Sequence, residues 1–354
     1  MLGSILKAAI PHDLKTLNLN NIKSILSTNQ HVTKSELAEL TGLSVVTVNK
    51  LIQTLLETRE IKEFSNAVTT GGRKAVSYCL NADFQHVLII RLQANKQEIN
   101  CLFSVHNLLG QLIVQDNIES SLLTLPLLIQ RIRLYLNQFP DISCIVIGIP
   151  GEEIEGQLRI IDFPLLLNLN LRKELESAFT LPVLLENDIN AAVLGYSRQV
   201  DDPEIKSLIG IYYPEKFPPG AGILLNGKIY KGKNGIAGEI KNIPLNINWN
   251  DFDYSTDELQ INLEKTLISL IGLYDPHSII IYAKYLGYKK DSLQALTLHL
   301  TQAYPYISLP QITLSMNFEQ DYALGLVSIG LSYLKENAKT RWDESINSST
   351  KSIG

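Results

Sequence analysis

The segment KSELAELTGLSVVTVNKLIQTL, from Lys34 to Leu55, leaves the chain little freedom in how it can fold. Leu37, Leu40 and Leu43 recur at helical spacing, as do Val48, Leu51, Ile52 and Leu55. Gly42 interrupts the first pattern where a tight turn needs positive φ. Ser44 then offers a hydroxyl to cap the next helix, and Ala38 is small enough for two helices to cross closely. The spacing predicts a helix-turn-helix of the DNA-reading kind. Its second helix exposes Val45, Val46, Thr47, Asn49, Lys50 and Gln53, short, polar or cationic side chains suited to base edges and phosphates. An ordinary helical hairpin with a solvated polar face would show part of this pattern, so the flanking sequence has to decide.

Upstream, NNIKSILSTNQHVT supplies a helix whose Ile22, Ile25 and Leu26 can complete a three-helix core. Thr33 and Glu36 have the spacing of a capping box. Downstream, IKEFSNAVTTGGRKAVSYCLN alternates on either side of a Thr70–Lys74 turn, which predicts a β-hairpin and makes the module a winged helix. Gly71-Gly72 lets the tip backbone approach a groove, with Arg73 and Lys74 beside it, and a narrow A·T-rich minor groove attracts such an arginine. The competing reading of this tip is a solvated basic turn. Ser44, Val45, Thr47, Asn49, Lys50, Arg73 and Lys74 are the DNA-binding candidates, with double-stranded DNA as the partner.

Charge agrees with that division. The chain of 354 residues has a formal net charge of −5 and no general affinity for polyanions. Residues 1–82 carry an excess of Lys and Arg, whereas the remainder is acidic. No apolar run is long enough to span a bilayer, and MLGSILKAAIPHD has no apolar core with a cleavage site, so a cytoplasmic protein with no membrane contact is expected. Cys79, Cys101 and Cys144 are dispersed, as free thiols in a reducing compartment would be.

From His86 onward, apolar strands alternate with amphipathic stretches. HVLIIRLQ, EINCLFSVHN and QLIVQDNI predict three consecutive strands, LTLPLLIQRIRLYLNQF a helix, and CIVIGIPG a buried strand ending in a turn. After the helix LRKELESAF, PVLLENDINAAVLGYSRQ runs from strand into helix, and SLIGIYY with GAGILLNGKIYKG predicts another hairpin. This order predicts an α/β body of two lobes with a cleft between them. The expected domains are 1–82 for the winged helix-turn-helix, 83–195 for the first lobe, completed by a C-terminal helix over 321–338, 196–320 for the second lobe, and 339–354 for a polar tail.

PVLLENDINAAVLGY, NGKIYKGKNGIAGEI, the TGGR turn and the helix-turn-helix together resemble the ROK family, and within it the xylose- and N-acetylglucosamine-responsive repressors. The resemblance covers about residues 15–335. It implies a winged-helix head on an actin-like, ribonuclease-H-like sugar-kinase body, assembled as a homodimer or homotetramer. The departures from the family pattern concern nucleotide and metal. The phosphate-handling D-x-G-G-T is replaced by IIRLQANKQEIN, with Arg91, Gln93, Ala94 and Asn95. A second phosphate loop becomes FPPGAG, where Pro218 and Pro219 lack backbone donors. The adenosine Gly-Gly becomes Tyr282-Ala283. In place of the zinc motif's histidine stands Asn242, and no cysteine follows Cys144. No cofactor, no metal and no catalytic residue are therefore expected. The resemblance leaves Asn187, Asp188 and Glu239 as sugar contacts, although a cap or a tie between loops would use the same residues. An Asn-Leu that follows a proline in the family is replaced near Asp162-Phe163-Pro164. The expected function is sequence-specific repression of carbohydrate-related genes by a non-catalytic body that oligomerises and senses a sugar. The alternatives are a carbohydrate kinase and a regulator whose body binds a protein and no sugar.

Overall fold

The computed structural model describes residues 11–29, 31–65, 76–94, 99–120, 123–161, 163–214, 217–249, 251–254, 257–287 and 292–350. They fall into two compact units: Met1–His86 with His106–Leu112 and Leu331–Gly354, and Val87–Val105 with Ile113–Gly330.

In the first unit, α1 (Pro11–Thr28) starts at a proline, well ahead of the NNIKSIL stretch where its apolar periodicity shows. After β1 (Val32–Thr33) comes α2 (Lys34–Thr41), whose capping box is complete. The Thr33 hydroxyl accepts from the Glu36 amide, and the Glu36 carboxylate accepts from the Thr33 amide at 2.7 Å. Gly42 closes the helix in the left-handed region at φ 69°, as the turn requires. In α3 (Val45–Glu57), the Ser44 hydroxyl accepts from the Thr47 amide at 3.1 Å. β2 (Ile61–Ser65) and β3 (Val76–Leu80) pair antiparallel, and β1 joins the other edge of β3. Ile22, Leu37, Val48, Ile52, Leu55 and Tyr78 bury together as the core. Burying each of the aliphatic side chains contributes about 1.5–3 kcal/mol. Leu40, part of the apolar pattern, is 58% exposed instead, because only Leu37 of its helix turns fully inward.

Apart from His86, the 106–107 end of β5 and Leu112, the second unit opens with β4 (His86–Ala94), β5 (Ile99–Asn107), β6 (Leu112–Ser120) and the helix α4 (Leu125–Gln138). There follow β7 (Ile142–Ile149), β8 (Gly151–Ile154), β9 (Gln157–Ile161), α5 (Leu171–Phe179), β10 (Val183–Asn187) and α6 (Asp188–Val200). The first sheet has the order β10-β7-β4-β5-β6, with β10 parallel to β7 and every residue of β7 buried. The β8–β9 hairpin, absent from the sequence expectation, turns on Glu155 and Gly156, both at positive φ.

The remaining elements are β11 (Ser207–Tyr213), β12 (Gly220–Leu225), β13 (Lys228–Ile229), α7 (Asp257–Tyr274), β14 (Ser278–Ala283), α8 (Lys284–Gly287), α9 (Ser292–Ala303), β15 (Gln311–Ser315) and α10 (Phe318–Thr350). The second sheet runs β13-β12-β11-β14-β15, with β14 parallel to both of its neighbours. Helix α6 packs on β11 and β12 and also reaches β10 and β7. That contact needs glycine beneath the helix, since a Cβ on Gly210 would stand 2.1 Å from Val193 Cγ2. The approach of α6 to α10 is closer still: a Cβ on Gly195 would lie 1.9 Å from the Asp321 carbonyl oxygen, and one on Gly325 1.8 Å from that of Ala191.

Helix α10 continues to Thr350 rather than ending near Ala338, because a polar composition does not stop a helix and neither Gly nor Pro occurs from Leu331 to Ile353. Among the described residues, no helix is long and apolar enough to cross a membrane.

Candidate nucleic-acid interface and interior cleft

The exposed side of α3 follows from its buried side. Val48, Leu51, Ile52 and Leu55 face the core, which leaves Val45 and Val46 at 53% and 68% exposure and Asn49, Lys50 and Gln53 also in solvent. Thr47 is only half-exposed, because its hydroxyl lies 2.9 Å from that of Ser44 within the cap. Asn49 is held in place: Lys34, the first residue of α2, donates to its Oδ1 at 2.6 Å. The Lys34 ammonium also lies 5.5 Å from the centre of the Tyr78 ring. Ser44, Val45, Thr47, Asn49 and Lys50 thus share one helix end, with Lys34 added from the neighbouring helix. Arg73 and Lys74, with Gly71 and Gly72, lie outside the described residues.

In the second unit, a cavity of about 480 Å³ opens at the carboxyl end of β10, where open α/β sheets place ligands. Arg91, Asn187, Asp188, Tyr212, Glu239 and Tyr322 are among its lining residues, so the three sugar-contact candidates do come together. Their side chains are already engaged. Asn187 is the N-cap of α6: its Oδ1 accepts from the Asn190 amide at 3.1 Å and its Nδ2 donates to the Gly151 carbonyl at 3.1 Å. Asp188 Oδ1 accepts from the Ile189 amide at 2.7 Å. Glu239 pairs with Lys241 at 2.8 Å.

Close to these residues are two carboxylates that the motif spacing did not single out. Glu186, 7% exposed, pairs with Lys231 at 2.9 Å and accepts from the Asn187 amide at 3.1 Å. Glu152, on the β8 bulge, is buried, and that burial, reinforced by the negative charges of Glu186 and Glu239, pushes its carboxyl up to about 8. Lys231 opposes the shift. Glu186 and Lys231 both lie in quoted segments, but nothing local announces that β10 and the Lys231 loop meet.

The stretch that replaces D-x-G-G-T is equally occupied. Arg91 Nη1 donates to the Glu319 carbonyl at 3.0 Å and to its Oε2 at 3.3 Å, while Gln93 donates to the same carboxylate. Desolvation holds the Glu319 carboxyl above its ordinary value against the opposing pull of Arg91 and Gln93. Asn95 lies outside the described residues, and nothing is described of the Ala94 side chain. Pro218 and Pro219 line the cavity and have no N–H to offer a phosphate. Tyr282 is buried and donates to Asp321 at 2.7 Å, while Tyr322 Oη is buried with no hydrogen-bond partner among the described residues. Phe163 and Pro164 open a short 3₁₀ turn, and Asp162 is outside the description. Asn242 ends another, and among the described residues there is no group of three His, Cys, Asp or Glu that could hold a metal ion.

Comparison with known proteins adds relatives to this geometry. Residues 115–251 match the ROK family model. The chain is 28% identical over 245 residues to the xylose repressor of Caldicellulosiruptor bescii, covering 66% of this chain and 60% of the relative. It is 25% identical over 240 residues to the DNA-binding transcriptional dual regulator NagC of Escherichia coli, covering 65% and 58%. The chain thus spans about 60% of the length of these curated relatives. A crystal structure of a ROK family transcriptional regulator, a homologue of the E. coli MLC protein, superposes with a TM-score of 0.62 at 18% identity, over 90% of this chain and 99% of that one. The ROK hexokinase of Thermus thermophilus superposes with 0.59 at 16% identity, over 71% and 100%. At these identities the likeness concerns the fold, which regulators and kinases of the actin-like ROK type share.

Proposed function

Since residues 115–251 match the ROK family model, we propose that this chain is a sequence-specific, DNA-binding transcriptional regulator that represses carbohydrate-related genes from the cytoplasm. One observation carries the reading: a capped helix-turn-helix whose second helix turns Val45, Val46, Asn49 and Lys50 to solvent. The head, residues 1–82, is the DNA-binding domain, and the two sheets of the body form its two lobes. Ser44, Val45, Thr47, Asn49 and Lys50 meet the major groove, and Arg73 and Lys74 the flanking minor groove. The body assembles the chain as a homodimer or homotetramer, which sets the distance between heads to suit two half-sites. A sugar that favours one lobe closure shifts that distance in proportion to its differential affinity for the two states.

The reading includes the absence of phosphoryl transfer. It is supported by the Arg91–Glu319 pair and by the donor-less Pro218-Pro219. The test is selection from randomised duplexes by the purified chain, repeated with xylose, N-acetylglucosamine and their phosphates, beside an ATP-dependent phosphorylation assay. Salt-sensitive selection of one site, released by a sugar and without phosphate transfer, is the expected result. Sugar phosphorylation would make the chain a carbohydrate kinase. A body that binds a protein and no sugar is the second reading, favoured by Asn187 and Glu239 being engaged within the chain. Retained DNA selection with no sugar raising the melting temperature would favour it.

A further inference from the structure

The direction in which α3 presents its side chains ranks its contacts with DNA. At about 100° per residue, Val46, Lys50 and Gln53 lie on the line opposite the buried Val48, Leu51, Ile52 and Leu55. Val45 and Asn49 lie off that line, toward one flank. Val46 is therefore the outermost side chain of the first turn, and at 68% exposure the more exposed of the two valines.

Asn49 is restricted in a second way. With Oδ1 accepting from Lys34, one of the oxygen's two lone pairs is taken and a cation stands beside the other, while the amide protons remain as donors. Paired recognition of adenine needs both the oxygen, for N6, and the amide, for N7. Held as it is, Asn49 suits acceptors such as phosphate oxygens. An apolar branched side chain at the tip of the helix, beside a cation, has one natural counterpart in the major groove, the C5-methyl group of thymine.

We infer that Val46 reads a thymine methyl in each half-site and so sets base specificity, while Asn49, pinned by Lys34, serves to position the helix. The inference rests on the reading of the head as a DNA-binding module.

The experiment uses the full chain and a duplex selected from a randomised pool, in which each half-site thymine is replaced in turn by deoxyuridine, which lacks only the methyl group. One thymine per half-site should be sensitive, with affinity falling about fourfold per head, the factor equivalent to burying one methyl group. Val46→Ala should lose that sensitivity while keeping the salt dependence of binding, and Asn49→Ala should keep the sensitivity while binding every duplex more weakly. Val46 is exposed, so its replacement spares the core. If no thymine is sensitive, or if Val46→Ala still discriminates thymine from deoxyuridine, the inference is wrong. If the wild-type chain binds no duplex in a salt-sensitive way, the DNA-binding reading falls first and this inference with it.

Discussion

Replacing Asn187 with alanine removes two hydrogen bonds from the start of α6. One satisfies an otherwise orphaned helix amide, at 3.1 Å from Asn190 N, and its loss typically costs about 1 kcal/mol. The other ties the helix to the Gly151 carbonyl at 3.1 Å and is worth about 1 kcal/mol on average. The sum is about 2 kcal/mol, or a melting shift of about 4–8 °C for a body of this size. Asn187→Ser separates the two, since a serine hydroxyl still caps the helix but carries no amide to reach Gly151, so about half the loss should remain. Urea and thermal denaturation of the wild type and both variants measure this directly. If Asn187→Ala is as stable as the wild type, both bonds are energetically idle, and Asn187 is available to a ligand after all. If serine is as damaging as alanine, the cap contributes nothing and the stabilisation lies in the tie to Gly151.

Glu152→Gln should stabilise the protein, and more so as pH rises. With the folded carboxyl near 8 against an ordinary value of 4.5, the unfolded chain ionises first. The native glutamate therefore costs nothing below pH 4.5 and most above 8, with a slope of up to about 1.4 kcal/mol per pH unit between them. A stabilisation that is equal at pH 5 and pH 8 would contradict this origin. Thr33→Ala, which breaks the capping box of α2, should cost about 1 kcal/mol in equilibrium denaturation. Stability unchanged within error would show that the box is dispensable. Lys50→Ala should leave the fold intact, since the side chain is exposed. It should lower the slope of log affinity against log salt by about one per head, and an unchanged slope would remove Lys50 from the phosphate contacts.

What could be read in advance was local. Thr33, Glu36, Gly42 and Ser44 act within four residues of their own positions, so the caps and the turn of the head follow from spacing, as do the wing strands from alternation. Helix α6 was visible for the same reason. The β8–β9 hairpin was not, because the register shift between Glu152 and Glu153 breaks the alternation that would reveal it. The end of α10 was misjudged from polarity, although only a breaker or a cap ends a helix. In the cleft, the family resemblance brought Asn187, Asp188 and Glu239 together, but whether they were free for a ligand depends on Gly151, Ile189 and Lys241, of which Gly151 is remote in sequence and the other two engage only in the folded loop geometry. The pairing of Arg91 with Glu319 joins opposite ends of the body. The same limit hid Lys34, whose hold on Asn49 depends on how α2 and α3 cross.

The glycines beneath and beside α6 differ in what a geneticist could repair. An alanine at Gly210 meets the tip of a side chain, Val193 Cγ2, with the next atoms at 3.4 Å. A suppressor screen should therefore recover Val193→Ala as a partner that restores Gly210→Ala. An alanine at Gly325 meets the carbonyl oxygen of Ala191, and one at Gly195 that of Asp321. No codon change removes a carbonyl, so neither defect should yield a suppressor at its contact. Wherever the α6–α10 crossing is kept at this separation, those two positions have no complementary substitution through which they could drift together.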